Sequence, residues 1–156
     1  MRKSVESTIW ITQNIPTSNI QYYKKNRHNI DWEIINISQS FFTNITLEFI
    51  LEFHYELDFD SVSCCATLSE DSIRRLKNKV NWFFISHYQK LSESFIEEFK
   101  DKIKIENVLN NRSTYPNLSF KFLLEHIDKI THIQQYKHQL SKEEYKILKE
   151  IHEAIK

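Results

Sequence analysis

Apolar residues recur along this chain in short stripes, and the stripes themselves repeat. Between Leu68 and Lys90, Ser69 precedes Glu70 and Asp71, which reads as a helix N-cap followed by acidic first-turn residues. Ile73, Leu76 and Val80 then fall on one helical stripe, with Arg74, Arg75, Lys77 and Lys79 off it. Asn81 offers a second cap, and Trp82, Ile85 and Tyr88 follow at steps of three, predicting a shorter second helix. The same order returns 23 residues later as Leu91-Ser92-Glu93, Ile96, Phe99-Lys100, Lys102-Ile103, Ile105 and Val108. It stands 23 residues earlier as Ile45-Thr46, Ile50, Phe53, Leu57, Phe59 and Val62.

A fixed period of this size marks stacked supersecondary units that share a core with their neighbours. Helices shorter than ~12 residues are marginal alone in water, so packing between units must stabilise them. Thr46, Ser69, Ser92, Ser119 and Ser141 are expected to cap the first (A-type) helix of a pair, and Asp31, Asp58 and Asn81 the second (B-type) helix. Strands would need an alternation of period two, which these units lack. The expectation is an all-α chain, an α-solenoid of about five or six imperfect repeats of 23 to 27 residues, forming one domain over residues 1–156.

Within that domain, residues 1–19 read as a lead-in, 20–139 as repeats and 140–156 as a C-terminal capping helix with a polar Lys and Glu outer face. Ser4 to Thr12, rich in β-branched residues around Trp10, fits a strand, an extended cap or an irregular segment. Two stretches break the register. Extra residues near Ser38 to Phe42 are expected in a loop or a longer B-type helix, and Asn110 to Ser113 with Tyr115 to Asn117 in a loop.

Composition removes several classes of function. Lys+Arg and Asp+Glu both number 21, so no net field attracts nucleic acid or anionic membrane. Gly is absent and Pro stands only at positions 16 and 116, so glycine-dependent phosphate loops have no place here. Met1-Arg2-Lys3-Ser4 leads into no apolar run of signal-peptide length, and no stretch has the ~18 consecutive apolar residues of a membrane span. Adjacent Cys64 and Cys65 match neither a zinc spacing nor a common disulfide geometry. A soluble cytoplasmic protein in a reducing compartment is expected, with no membrane partner.

Residues Ile85-Ser86-His87-Tyr88-Gln89-Lys90-Leu91-Ser92-Glu93-Ser94-Phe95-Ile96-Glu97-Glu98-Phe99-Lys100-Asp101-Lys102-Ile103 resemble the tandem unit ISxYQKLSExFIxxFxDKVxW of repeat proteins from giant viruses and bacteriophages. The match is close over residues 68–103 and faint elsewhere. The resemblance implies a viral or mobile-element origin rather than an activity, and it carries over no catalytic residue.

Candidate interaction residues come from slots whose character changes between repeats. Phe83 and Phe84 stand where the neighbouring units have Asp60-Ser61 and Glu106-Asn107, a pattern expected off the core and suited to an interface. Arg74 and Arg75 head a basic face, whereas the next unit carries Glu97, Glu98 and Asp101 there. Alternating signs favour a solvated face over a phosphate track. His126, His132 and His138 are six apart and do not share one helical side, and Asp128 with His132 supplies too few ligands for a metal. Neither cofactor nor metal is expected, and no catalytic set is discernible. The expectation is a non-enzymatic module that binds a protein partner through Phe83, Phe84, Asp60, Glu106, Arg74 and Arg75, a host protein if the origin is viral. Nucleic-acid binding around Arg74 and Arg75 is the alternative.

Overall fold

The computed structural model describes residues 5–156, which fold into helices and connecting turns with no strand among them. Met1–Ser4 lie outside the described residues, and with them the first residue of the Ser4 to Thr12 segment. The chain divides into two compact units, Met1–Asn81 and Trp82–Lys156. The first holds α1 (Val5–Asn14), α2 (Ile20–Asn26), α3 (Trp32–Asn36), α4 (Gln39–Thr43), α5 (Leu47–Glu52), α6 (Phe59–Cys65) and α7 (Glu70–Arg75). The second holds α8 (Trp82–Tyr88), α9 (Glu93–Glu98), α10 (Ile105–Asn110), α11 (Phe120–Glu125) and α12 (Lys142–Ala154). Short 3-10 turns in this unit span Tyr115–Asn117, Ile127–Lys129 and Ile133–Tyr136.

The helix starts follow from their caps. Asn19, Thr46, Ser69, Ser92, Ser119 and Ser141 each accept, at 3.2 Å, the backbone N–H three residues on, supplying a partner to a donor the helix itself leaves open. Glu144 completes a capping box by accepting from the Ser141 amide. The ends are equally uniform. Phe53, Leu76 and Phe99 close their helices at φ near −109°, −100° and −117°, and each carbonyl accepts from the amides three and four residues on. No described residue has a positive φ, so the connection into the B-type helix requires no glycine.

A recurring hydrogen bond within each unit ties the backbone N–H just before a B-type helix to a side chain of an earlier helix. In the first unit the Asp31 N–H donates to Thr8 Oγ1 at 3.0 Å, the Asp58 N–H to Asn36 Oδ1 at 2.9 Å and the Asn81 N–H to Ser63 Oγ at 2.9 Å. In the second, the Lys104 N–H donates to Ser86 Oγ at 3.0 Å. Ser63 and Ser86 are fully buried, and each hydroxyl also donates to the carbonyl four residues back, Phe59 and Trp82 respectively. One hydroxyl thus serves both the carbonyl of its own helix and a backbone amide 18 residues on, Asn81 for Ser63 and Lys104 for Ser86. Leu109 fills this slot in α10 and has no hydroxyl to offer; its carbonyl accepts from Tyr136 Oη at 2.8 Å and Gln135 Nε2 at 3.0 Å.

Each unit has its own apolar core. In the first, Tyr23, Phe49, Phe53, Ile35 and Ile50 are fully buried, with Tyr23 edge-on to Phe49 at 4.7 Å and Trp32 5.2 Å from Phe53. In the second, Trp82 lies 4.9 Å from Phe99, and Ile85, Phe95, Val108, Leu123, Tyr136 and Leu148 are buried.

Four expectations need correction or completion. The β-branched N-terminal segment is helical over Val5–Asn14, anchored by buried Thr8 and Ile11. The inserted residues are neither a loop nor an extension of α3: they form the separate helix α4, because Phe41 and Phe42 bury there. Asn110 closes α10, and Tyr115–Asn117 is a 3-10 turn whose approach is pinned by buried Asn111 and Thr114. Finally, the outer face of α12 is not purely polar, since Ile147, Ile151 and Ile155 are exposed at successive turns. No described helix is long and apolar enough to cross a membrane.

Candidate aromatic interface

The short helix α8 buries Ile85 and Ser86 and so turns Phe83, Phe84, His87 and Tyr88 away from that buried side. The Phe83 and Phe84 rings meet edge to face at 5.5 Å, Phe83 stacks on His87 at 6.2 Å with 9° between planes, and His87 meets Tyr88 at 4.6 Å. Phe84 also approaches Tyr88 at 6.1 Å. Phe83 remains 52% exposed and Tyr88 49%, while Phe84 and His87 are half-buried. The result is a preorganised aromatic ridge whose rings hold one another in place. Beside it lies a cleft of about 220 Å³ lined by His87, Tyr88, Asn110, Asn111, Arg112 and Ser113. Its wall is rigid, because Asn111 Nδ2 donates to the Ser86 and Gln89 carbonyls and Thr114 Oγ1 to Gln89.

The other candidate residues sort by unit. Asp60 and Glu106 are exposed, as slots off the core should be. Asp60 accepts from the Asn81 side-chain amide at 2.7 Å within the first unit. Glu106 lies on α10 in the second unit, where neighbouring Asn107 donates to the Phe83 carbonyl at 3.4 Å. Arg74 is half-buried and held by Asp71 at 2.9 Å and Glu70 at 3.9 Å, whereas Arg75 is exposed. Arg74 and Arg75 therefore make a partly neutralised patch of their own in the first unit, and Phe83, Phe84 and Glu106 belong to the second.

Sequence reasoning missed His87 and Tyr88 as members of the ridge. The signal was present, since both follow Phe83 and Phe84 by four residues and so share their helical sides.

Other nucleophilic and imidazole groups lie elsewhere in the fold. Cys64 and Cys65 are free and half-buried; burial first, then the adjoining Cys65 thiol, push the Cys64 thiol up to about 12. His126 packs on Phe122 at 4.6 Å, and buried His152 hydrogen-bonds the Ile130 carbonyl at 2.8 Å. Among the described residues no group of three His, Cys, Asp or Glu side chains is placed to hold a metal ion. No family model, curated protein or solved structure matches this chain.

Proposed function

We propose that the chain is a non-enzymatic α-solenoid of short helix pairs that binds another protein through the aromatic ridge of α8. Equivalent caps, helix ends and inter-helix hydrogen bonds at a spacing near 23 residues support the repeat reading. The observation that carries the binding reading is the exposure of Phe83 and Tyr88 within one stacked cluster, in a helix whose neighbours place Asp60 and Glu106 at the Phe83 slot. Rigid, partly exposed aromatic rings lose little freedom on docking and are the usual anchors of an interface.

The resemblance to viral and phage repeats extends the proposal. The module acts as an adaptor or inhibitor in the host cytoplasm, covering the surface of a host protein such as a defence component. It works by occlusion, without chemistry on the partner. Nucleic-acid binding around Arg74 and Arg75 has weaker support, because Glu70 and Asp71 already engage the Arg74 guanidinium.

The test compares wild type with Phe83→Ala/Phe84→Ala in a pull-down from host extract, with circular dichroism to verify the fold. Loss of ~2 kcal/mol or more, about 30-fold in affinity, is the expected result for hot-spot residues. Equal retention of the same protein by a folded double variant would refute the ridge. A retained nucleic acid whose binding falls steeply with salt would refute the protein-binding reading itself.

A further inference from the structure

One slot of the repeat points to a second binding surface. The residue that opens each B-type helix is Trp32 in α3, Phe59 in α6, Trp82 in α8 and Ile105 in α10. Where this residue is tryptophan, its ring packs on two side chains of the A-type helix that follows. Trp32 lies 6.5 Å from Phe49 and 5.2 Å from Phe53; Trp82 lies 6.4 Å from Phe95 and 4.9 Å from Phe99. A lysine from the following turn covers the exposed face, Lys79 Nζ at 5.7 Å from the Phe59 ring and Lys102 Nζ at 5.3 Å from Trp82.

At α10 the equivalents of Phe95 and Phe99 are Phe122 and His126, 27 residues on, but the opening residue is only an isoleucine. In place of a closed aromatic stack there is a cleft of about 330 Å³ lined by Ile105, Phe122 and His126. Three carboxylates line it, Glu93, Glu97 and Glu125, with the ammonium of Lys100, and Lys121 Nζ stands 3.7 Å from Glu125 outside the lining. Lys100 is bound to Glu97 at 2.7 Å, and Glu93 is fixed by the Ser119 amide and hydroxyl at 2.5 and 3.1 Å.

We infer that this cleft accepts an indole-sized aromatic side chain of a partner protein, presented beside a lysine or arginine. The fold itself shows what fills the space, because Trp82 occupies the corresponding position under a lysine. The incoming ring packs on Phe122 and His126 as Trp82 does on Phe95 and Phe99, and the cation beside it meets Glu97 and Glu125 in exchange for their weak, solvent-exposed pairs with Lys100 and Lys121. Phosphate-bearing ligands are repelled by the same carboxylates. The inference rests on the protein-binding reading but not on the α8 ridge.

The experiment is selection of random displayed peptides of roughly ten residues on the immobilised full chain, followed by titration of one enriched synthetic peptide. Wild type is expected to enrich Trp, Phe or Tyr within a few residues of Lys or Arg. Ile105→Trp fills the cleft from within; it should weaken the peptide ~10-fold or more while leaving the unfolding temperature equal or higher. Glu97→Lys/Glu125→Lys alters only exposed side chains, and should weaken it comparably, which keeps the test decisive if Ile105→Trp misfolds. Phe83→Ala/Phe84→Ala should leave it bound. Enrichment without an aromatic-plus-cation pattern, or full binding to folded Ile105→Trp or to the charge-reversed variant, overturns the inference. Binding lost in Phe83→Ala/Phe84→Ala but kept in Ile105→Trp also overturns it, while upholding the α8 ridge. No binding by any peptide overturns the cleft, and the pull-down then decides the ridge separately.

Discussion

Replacing Ser86 by alanine should destabilise the second unit far more than the loss of one small side chain suggests. Ser86 is fully buried, accepts from the Lys104 amide at 3.0 Å and donates to the Trp82 carbonyl at 2.7 Å. The Trp82 carbonyl keeps its other hydrogen-bonding opportunities within α8, so the main loss is the Lys104 donor. That bond is part-buried, and a donor left without a partner costs ~1–3 kcal/mol when fully buried and less where water reaches it. Alanine returns about 0.5 kcal/mol through its better helix propensity, leaving a net loss of about 0.5–2.5 kcal/mol. Urea unfolding followed by circular dichroism should show a lower midpoint at an unchanged slope. Amide exchange supplies the residue-specific readout: the Lys104 N–H, slow in wild type, should exchange about 10-fold faster or more in Ser86→Ala, each factor of ten corresponding to about 1.4 kcal/mol. Ser94→Ala is the control, since Ser94 is exposed and its hydroxyl lies 2.9 Å from Ser92 Oγ at the helix surface. Equal stability of the Ser86 and Ser94 variants, or a Lys104 amide that exchanges freely in wild type, would refute this recurring bond as a source of stability.

Two further outcomes follow from burial and capping. Tyr23 and Tyr136 are fully buried, and burial first, then the neighbouring Tyr22 and Tyr115 phenols, push both up to about 12; Gln135 offsets part of this at Tyr136. A phenol raised above its unfolded value near 10 keeps its proton longer in the folded state, so stability falls as pH rises from about 10 toward 12. Phenolate absorbance should show two of the seven tyrosines titrating last, together with unfolding; normal titration of all seven in a folded chain would contradict the burial. Ser92→Ala removes the acceptor for the Phe95 amide and should cost about 1 kcal/mol in urea unfolding, whereas Ser92→Asp should retain most of the stability. A loss from Ser92→Ala no larger than that from Ser94→Ala would show that the cap contributes little.

The periodic part of this fold was legible because each short helix advertises its start. Ser69, Ser92 and Ser119 sit at the same step before an apolar stripe, and each cap forms as expected. Asp31 and Asp58 likewise cap their helices, while Asn81 directs its side-chain amide to Asp60 and its backbone N–H to Ser63. The recurring bond went unread because a serine inside an apolar stripe looks like a solvent-facing interruption; its clue was that Ser63 and Ser86 are themselves 23 apart. Helix α1 could not be decided from propensity, since its β-branched residues favour strand, and tertiary anchoring through Thr8 and Ile11 overrides that preference. For the candidate site, Phe83 and Phe84 were visible as slots that change character. The cleft at Ile105 was not, because a vacancy is a relation between an isoleucine and two residues of a later helix.

The turn that closes Phe53, Leu76 and Phe99 stays entirely within right-handed backbone geometry. Many helices end on a left-handed residue that glycine fills most comfortably, and every glycine codon begins with two guanines. A gene free of that demand can drift far toward adenine and thymine without sacrificing a single corner of the backbone. The corner is therefore open to any residue whose side chain the packing accepts, whatever the base composition of the gene.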